Sequence, residues 1–337
     1  MTKVSVIILT WNSAKVISQC LDSLASQTMQ DFEVIIVDNG SSDSDAIDLP
    51  AHWPEIDFQI NKLEKNIGFA SACNLGAAMS KGDWLAMLNS DAFPEPEWLE
   101  RLLIAAQSHP EFSFFASRQL QANAPHLLDG AGDAFHVSGL AWRRFSGYPA
   151  SLFGLDPMEV FSSCAAAALY LRQAFLKVGG FDEDFFSYHE DVDLSFRLRL
   201  QGYRCLYVPD AVVHHVGSAS VGAASDFALY HWQRNFIWSF VQNVPSGILW
   251  EALPSHLMAN LIYQLNYTIR GRGGILWKAK MDALRGLSQA LRKRREIQKT
   301  RTASHREILS TMERGWLQPY LLGYHIRKIS RTGPASK

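Results

Sequence analysis

The chain has 337 residues, 47% of them hydrophobic and 19% charged, a globular composition with material for a sizeable core. The formal net charge of -1 conceals a division: residues 1–226 hold 14 Lys and Arg against 28 Asp and Glu, whereas residues 227–337 hold 18 against 5. The four cysteines, Cys20, Cys73, Cys164 and Cys205, are far apart with no CxxC pair, which suggests neither a zinc site nor a disulfide framework, and they read as reduced core residues.

In chain order, Val4–Leu9 is a short continuous apolar run, read as a buried parallel strand and not a signal peptide. Asn12 and Ser13 offer helix caps, and Val16, Ile17, Cys20, Leu21 and Leu24 recur at helical spacing. Val34–Val37 is a second buried strand that ends in the turn-rich Asp38-Asn39-Gly40-Ser41-Ser42. A weaker strand near Phe58–Ile60 leads to Asn66-Ile67-Gly68 and a small-residue helix through Met79. Trp84–Leu88 is another buried strand, with Asn89-Ser90-Asp91 at its exit. This alternation predicts an α/β, Rossmann-like, mostly parallel open sheet flanked by helices, whose ligands bind beyond the carboxyl ends of the strands.

Residues 111–160 carry no clear periodicity, and the acceptor side of a site is placed there. Phe161–Leu171 is a buried Ala-rich segment, Gly179-Gly180-Phe181 a turn, and His189-Glu190-Asp191 opens a helix to about Gln201. Arg204–Pro209 and Ala211–His215 read as edge strands, or as a strand and its exit. From Phe227 the chain becomes helical, aromatic and basic, with Trp232, Trp238, Trp250, Trp277 and Trp316 among its residues. Phe236–Tyr263 is too interrupted by polar residues to span a bilayer. Trp and Leu beside Lys and Arg suit a helix lying on a membrane surface, although a helical subdomain or a homo-oligomer contact has the same composition. Arg292-Lys293-Arg294-Arg295 has no nucleic-acid module beside it, so no nucleic acid is expected.

The polar strand ends can serve transfer of a sugar from a nucleoside diphosphate. Thr10, Asn12, Asp38 and Ser41 can grip a nucleotide, an Asp carboxylate there accepting the imide N–H of uracil or thymine; an Asp after a strand is equally a turn former. Asp91 is a hard oxygen ligand for Mg or Mn, and His215 can join it, with His214 competing for the role. Asp191, preceded by Glu190, is a base candidate: a helix N-terminus favours its ionised form and the adjacent carboxylate opposes it. On local sequence alone, helix capping by Asp191 or Asp193 explains those acids as well.

Taken in order, VSVIILTWN…VIIVDNGSSD, NIGFASACNLG…LAMLNSDAFPEPEWLE and FSYHEDVDLSFRLRLQGYRCLYVPDAVVHHVG resemble family 2 glycosyltransferases of the GT-A fold, and among them the bacterial rhamnosyltransferase-type members. The resemblance covers residues 3–220 and implies a catalytic domain over 1–226 with a membrane-surface or oligomerising helical region over 227–337. It implies that Thr10, Asn12, Asp38, Asn66 and Gly68 line the donor site, that Asp91 is the last acid of the DxD metal motif, and that His215, followed by Val216-Gly217, joins the metal shell. Glu190 and Asp191 match the ED pair, whose second acid takes the acceptor proton in an inverting displacement. Asn89 replaces the first acid of DxD; it supplies a carbonyl and no charge, leaving most of the metal affinity to Asp91. Arg143 and Arg144 are diphosphate clamps or a solvated basic turn.

The expectation is therefore an inverting transferase using a divalent metal (Mn or Mg) and a dTDP- or UDP-linked sugar, foremost dTDP-L-rhamnose, on a glycan or polyprenyl-diphosphate-linked acceptor at the cytoplasmic face of the cell membrane. UDP-galactofuranose, UDP-glucose and UDP-N-acetylglucosamine are the alternative donors. A nucleotidyltransferase would need a glycine-rich basic loop near the N-terminus, which the sequence lacks, and a non-catalytic scaffold would have no use for Asp91, Glu190, Asp191 and His215 together.

Overall fold

The computed structural model describes residues 3–43, 52–217, 225–315 and Pro319. Trp316 and the rest of the basic C-terminal segment lie outside the described residues, Pro319 apart. The first half runs β1 Val4–Thr10, α1 Ile17–Ala25, β2 Phe32–Asp38, β3 Asp57–Lys62, α2 Phe69–Met79, β4 Trp84–Asn89, β5 Ala92–Pro94 and α3 Trp98–Ser108. Then come β6 Phe114–Gln121, β7 Ala124–Ala131, β8 Asp133–Phe135, β9 Ala141–Arg143, β10 Met158–Val160, β11 Ala167–Leu171, α4 Arg172–Lys177, α5 Glu190–Leu200 and β12 Cys205–His215.

These strands build a ten-stranded sheet in the order β10-β12-β6-β11-β4-β1-β2-β3, with β5 on β12 and β7 on β6. β3, β2, β1 and β4 are parallel neighbours, and β6 and β12 run parallel to each other. β11, inserted antiparallel between β4 and β6, leaves β6 and β12 pointing the same way as the first four. The expected mostly parallel α/β sheet is therefore present. The apolar runs are continuous because both faces are covered: Val4, Val6 and Ile8 pack toward α1 and α3, and Ile7, Ile35 and Val37 toward α2.

Two local expectations need correction. Neither Asn12 nor Ser13 caps α1; Val16 occupies the N-cap without a side-chain bond, because Asn12 has turned into a left-handed conformation (φ 52°) toward the loop after β2. Residues 205–215 form one strand inside the sheet, not edge strands: Val208 and Val212 still pair with β6 across a bulge at Pro209-Asp210, where proline has no N–H to give the ladder.

The C-terminal helices are α6 Asp226–Asn243, α7 Ser246–Ile269, α8 Gly273–Arg285, α9 Leu287–Thr300 and α10 His305–Ser310. They share a core with the body, Phe240, Val244 and Ile248 packing on Phe135, Phe161 and Phe196. The buried Asp193 receives Arg197 Nε (2.8 Å) and Asn243 Nδ2 (2.6 Å), so this acid anchors α6 to α5 and caps no helix. Asn235 Nδ2 donates to the carbonyls of Phe185, Ser187 and Tyr188, fixing the loop that leads into α5.

Candidate active site

The carboxyl ends of β1 and β2 are register partners, Thr10 opposite Asp38. Beyond them the chain is stitched by short polar side chains. Asn12 N–H donates to Ser41 Oγ (3.0 Å), and Ser42 N–H returns to Asn12 Oδ1 (2.8 Å). Asp38 Oδ1 accepts Ser41 N–H (3.0 Å), so this residue forms its turn as local chemistry anticipates while standing at the sheet edge. Asn39, which sequence reading passed over, joins the next loop: its Nδ2 donates to Asn66 Oδ1 (3.0 Å) and its Oδ1 accepts Ile67 N–H (2.9 Å). Gly68, at φ 90°, lies where an added Cβ would meet Phe186 at 2.7 Å. Thr10, Asn12, Asp38, Ser41, Asn66 and Gly68 thus form one continuous rim.

The remaining expected residues meet at a cavity of about 320 Å³ whose lining includes Asn89, Asp133, Arg143, Glu190, Asp191 and His215. Asp91, immediately ahead of β5, is brought beside His215, because Ala92 pairs with His215 in the ladder to β12. His215 Nε2 lies 3.4 Å from Asp91 Oδ1 and makes no hydrogen bond, while Nδ1 is held by Asp129 Oδ2 at 2.8 Å. His214 faces away and contacts Glu95 (3.1 Å), which removes it as the competing ligand. Burial alone would depress the His215 pKa, but the Asp129 and Asp91 carboxylates outweigh it and hold the ring above the usual value.

Asp129 has no counterpart among the expected site residues. Burial would raise its pKa, yet His215 and Arg143 together keep it below the ordinary range. Arg143 pairs with Asp129 and approaches Cys164 Sγ (3.1 Å), and Arg144 turns away to Glu313 (3.0 Å). Neither arginine is the solvated turn that its sequence allows; Arg143 alone reaches the cavity.

Asp191 is the second residue of α5, which follows His189; that residue takes a left-handed conformation (φ 72°) and makes no side-chain cap. One carboxylate oxygen accepts Val192 N–H (2.8 Å) and the other Ala165 N–H (3.3 Å). Burial nevertheless raises its pKa above the ordinary value of 3.8. Asp133, a second acid missed in the sequence, is pushed up to about 8, by burial first and by the charge of Asp191 next. Two acids lining one cavity do not both ionise readily, and the two backbone donors on Asp191 favour its charged form. Glu190 is buried with Oε2 unbonded, and burial raises its pKa well above normal.

Among the described residues no three His, Cys, Asp or Glu converge as a ready metal site. The Asp91–His215 pair still fits a divalent cation: a hard oxygen and an imidazole nitrogen face each other, the nitrogen lacks a hydrogen bond, and a carboxylate orients the ring from behind. Asp129→Asn, which keeps the shape and removes the charge, is expected to weaken Mn affinity by about 10–100-fold. Calorimetric titration of Mn in the presence of a nucleoside diphosphate measures it; unchanged affinity would separate Asp129 from the metal pair.

A family model described as Glycosyl transferase family 2 matches residues 5–179. N-acetylglucosaminyl-diphospho-decaprenol L-rhamnosyltransferase of Mycobacterium tuberculosis is 30% identical over 292 residues, covering 75% of this chain and 92% of that protein. The uncharacterized protein y4gI of Sinorhizobium fredii is 28% identical over 65% of this chain, which spans only 25% of y4gI. The fold matches that of the mannosyltransferase PcManGT from Pyrobaculum calidifontis, solved with GDP-Man and Mn2+, with a TM-score of 0.51 at 16% identity over 97% of this chain and 82% of that one.

Proposed function

The chain belongs to glycosyl transferase family 2 and has the GT-A fold, and from that premise we propose that it transfers L-rhamnose from dTDP-L-rhamnose to a hydroxyl of a polyprenyl-diphosphate-linked glycan at the cytoplasmic membrane face. The single observation that carries the chemistry is that Asp191 and His215 line one cavity at the carboxyl edge of the sheet, with Asp91 3.4 Å from His215 Nε2. The donor and acceptor classes rest on the printed activity of the Mycobacterium tuberculosis relative, which covers most of both chains. In this reading residues 1–226 are the catalytic domain and 227–337 a helical region packed against it.

Thr10, Asn12, Asp38, Ser41, Asn66 and Gly68 hold the nucleotide along the rim, and Asn89 and Asp91 carry the site on toward the diphosphate. Asp91 and His215 would hold a divalent cation, Mn or Mg, which when bound neutralises charge on the departing diphosphate; PcManGT was solved with Mn2+. The acceptor oxygen attacks the anomeric carbon as the bond from that carbon to the diphosphate oxygen breaks. The Asp191 carboxylate receives the acceptor hydroxyl proton, and the electron pair of the broken bond leaves on the nucleoside diphosphate. Asp133, its carboxyl pushed up to about 8 by burial and by the charge of Asp191, opposes a second negative charge in the cavity, while the backbone donors favour the ionised form of Asp191.

The imide N–H that Asp38 can recognise is common to thymine and uracil, so a UDP-sugar donor satisfies the same rim. Thermal-shift measurements with dTDP, UDP and GDP, each with and without Mn, separate these donors. The largest stabilisation is expected with dTDP plus Mn; a larger shift with UDP reassigns the donor, and no shift with any nucleotide contradicts the donor site.

A further inference from the structure

Among the described residues no helix is long and apolar enough to cross a membrane. α7 is nonetheless apolar on both of its sides. Ile248, Ala252, His256 and Ala259 face the protein core. On the opposite side Trp250, Leu257, Met258, Leu261, Leu265 and Ile269 are exposed, Trp250 by 71% and Ile269 by 87%. Their spacing follows the helical repeat and makes a stripe that runs about 28 Å along the axis. A helix apolar all round is ordinarily covered on every side, and nothing among the described residues covers this half. The next two helices add exposed Trp277, Leu284 and Leu291.

The charge around these residues selects what covers them. Arg270, Lys278, Arg285, Arg292 and Arg295 are exposed on the turn after α7 and along α8 and α9, against three acids on the three helices: Glu251, Asp282, which pairs with Arg285, and Glu296. A second copy of the chain would bring the same cations against these, and residues 316–337 contain no acid with which to neutralise them. A bilayer containing anionic lipid offers both what the stripe needs, an apolar boundary, and what the cations need, phosphate charge. We infer that the outer face of α7, with Trp277, Leu284 and Leu291, docks this protein in-plane on an anionic membrane surface. A lipid-linked acceptor gives the docking its use, but binding is read without turnover, so its failure leaves the transferase reading intact.

The test is flotation of the full chain with phosphatidylcholine vesicles, with and without phosphatidylglycerol, alongside molar mass by light scattering. The wild-type chain is expected to float with the anionic vesicles and much less with the neutral ones. Trp250→Glu/Leu257→Glu/Leu261→Glu should lower the bound fraction by about tenfold or more. Ile104→Glu, a charge placed on an exposed apolar residue of α3 elsewhere on the molecule, should float as the wild type does. All three altered stripe residues are exposed, and an unchanged circular-dichroism melt verifies the fold. A wild-type chain that stays at the bottom of the gradient overturns the inference. So does a triple variant that floats equally well, or a wild-type dimer that the triple variant converts to monomer.

Discussion

Asp191→Asn is expected to lower kcat by about 10²–10⁴-fold, the span that a positioned general base contributes. Asparagine keeps the side-chain shape and can still accept one of the Ala165 and Val192 N–H bonds through its carbonyl oxygen, but its NH2 cannot accept the other and it has no basic oxygen for the acceptor proton. The nucleotide rim is built from other loops, so nucleotide affinity should be nearly unchanged and the loss should fall on kcat. The pH profile carries a separate signature. Burial places the Asp191 carboxyl above the ordinary 3.8, so wild-type kcat/KM should fall as pH drops through that raised pKa and the base becomes protonated. The Asn variant should lose this acidic limb. Turnover at the wild-type rate in Asp191→Asn would remove Asp191 as the base.

Asp91→Ala carries the second large effect. In a motif with two acids, loss of one leaves a charged ligand behind; here Asn89 contributes none, so in the proposed site Asp91 is the acid that faces His215 Nε2. Removing an oriented outer-shell partner already costs about 10–100-fold in metal affinity, and removing the ligand itself should cost about 100-fold or more. Nucleotide Kd measured with and without Mn reads this directly. The wild-type chain should bind more tightly with Mn, and Asp91→Ala should bind equally in both conditions. A variant that keeps the Mn-dependent gain would exclude Asp91 from the metal pair.

The sheet and its edge are legible in the sequence because β1, β2 and β4 are buried on both faces and so read as unbroken apolar runs, each ending in polar residues. The start of α5 is legible for a similar reason, as a cluster of acids ahead of a helical pattern. Residues 111–160 resist such reading because β8, β9 and β10 are three residues long and β7 carries Pro125 and Gly130, so no period develops. Asp129 and Asp133 consequently look like ordinary turn acids. They gain meaning only when β7 folds back on β6 and sets Asp129 against His215, 86 residues away. Arg143 and Arg144 are indistinguishable as a dipeptide, yet one enters the cavity and the other pairs with Glu313. In α7 both sides are apolar, so periodicity cannot assign an inner face; the packing of Ile248, Ala252 and Ala259 does.

The most direct measurement is the anomeric configuration of the product, read by NMR of the glycan formed from dTDP-L-rhamnose and a polyprenyl-diphosphate-linked acceptor. A single base acting on the acceptor hydroxyl, with no covalent sugar–enzyme intermediate, gives a configuration opposite to that of the donor, together with one nucleoside diphosphate released per bond formed. A product that retains the donor configuration would contradict direct displacement with Asp191 as the base.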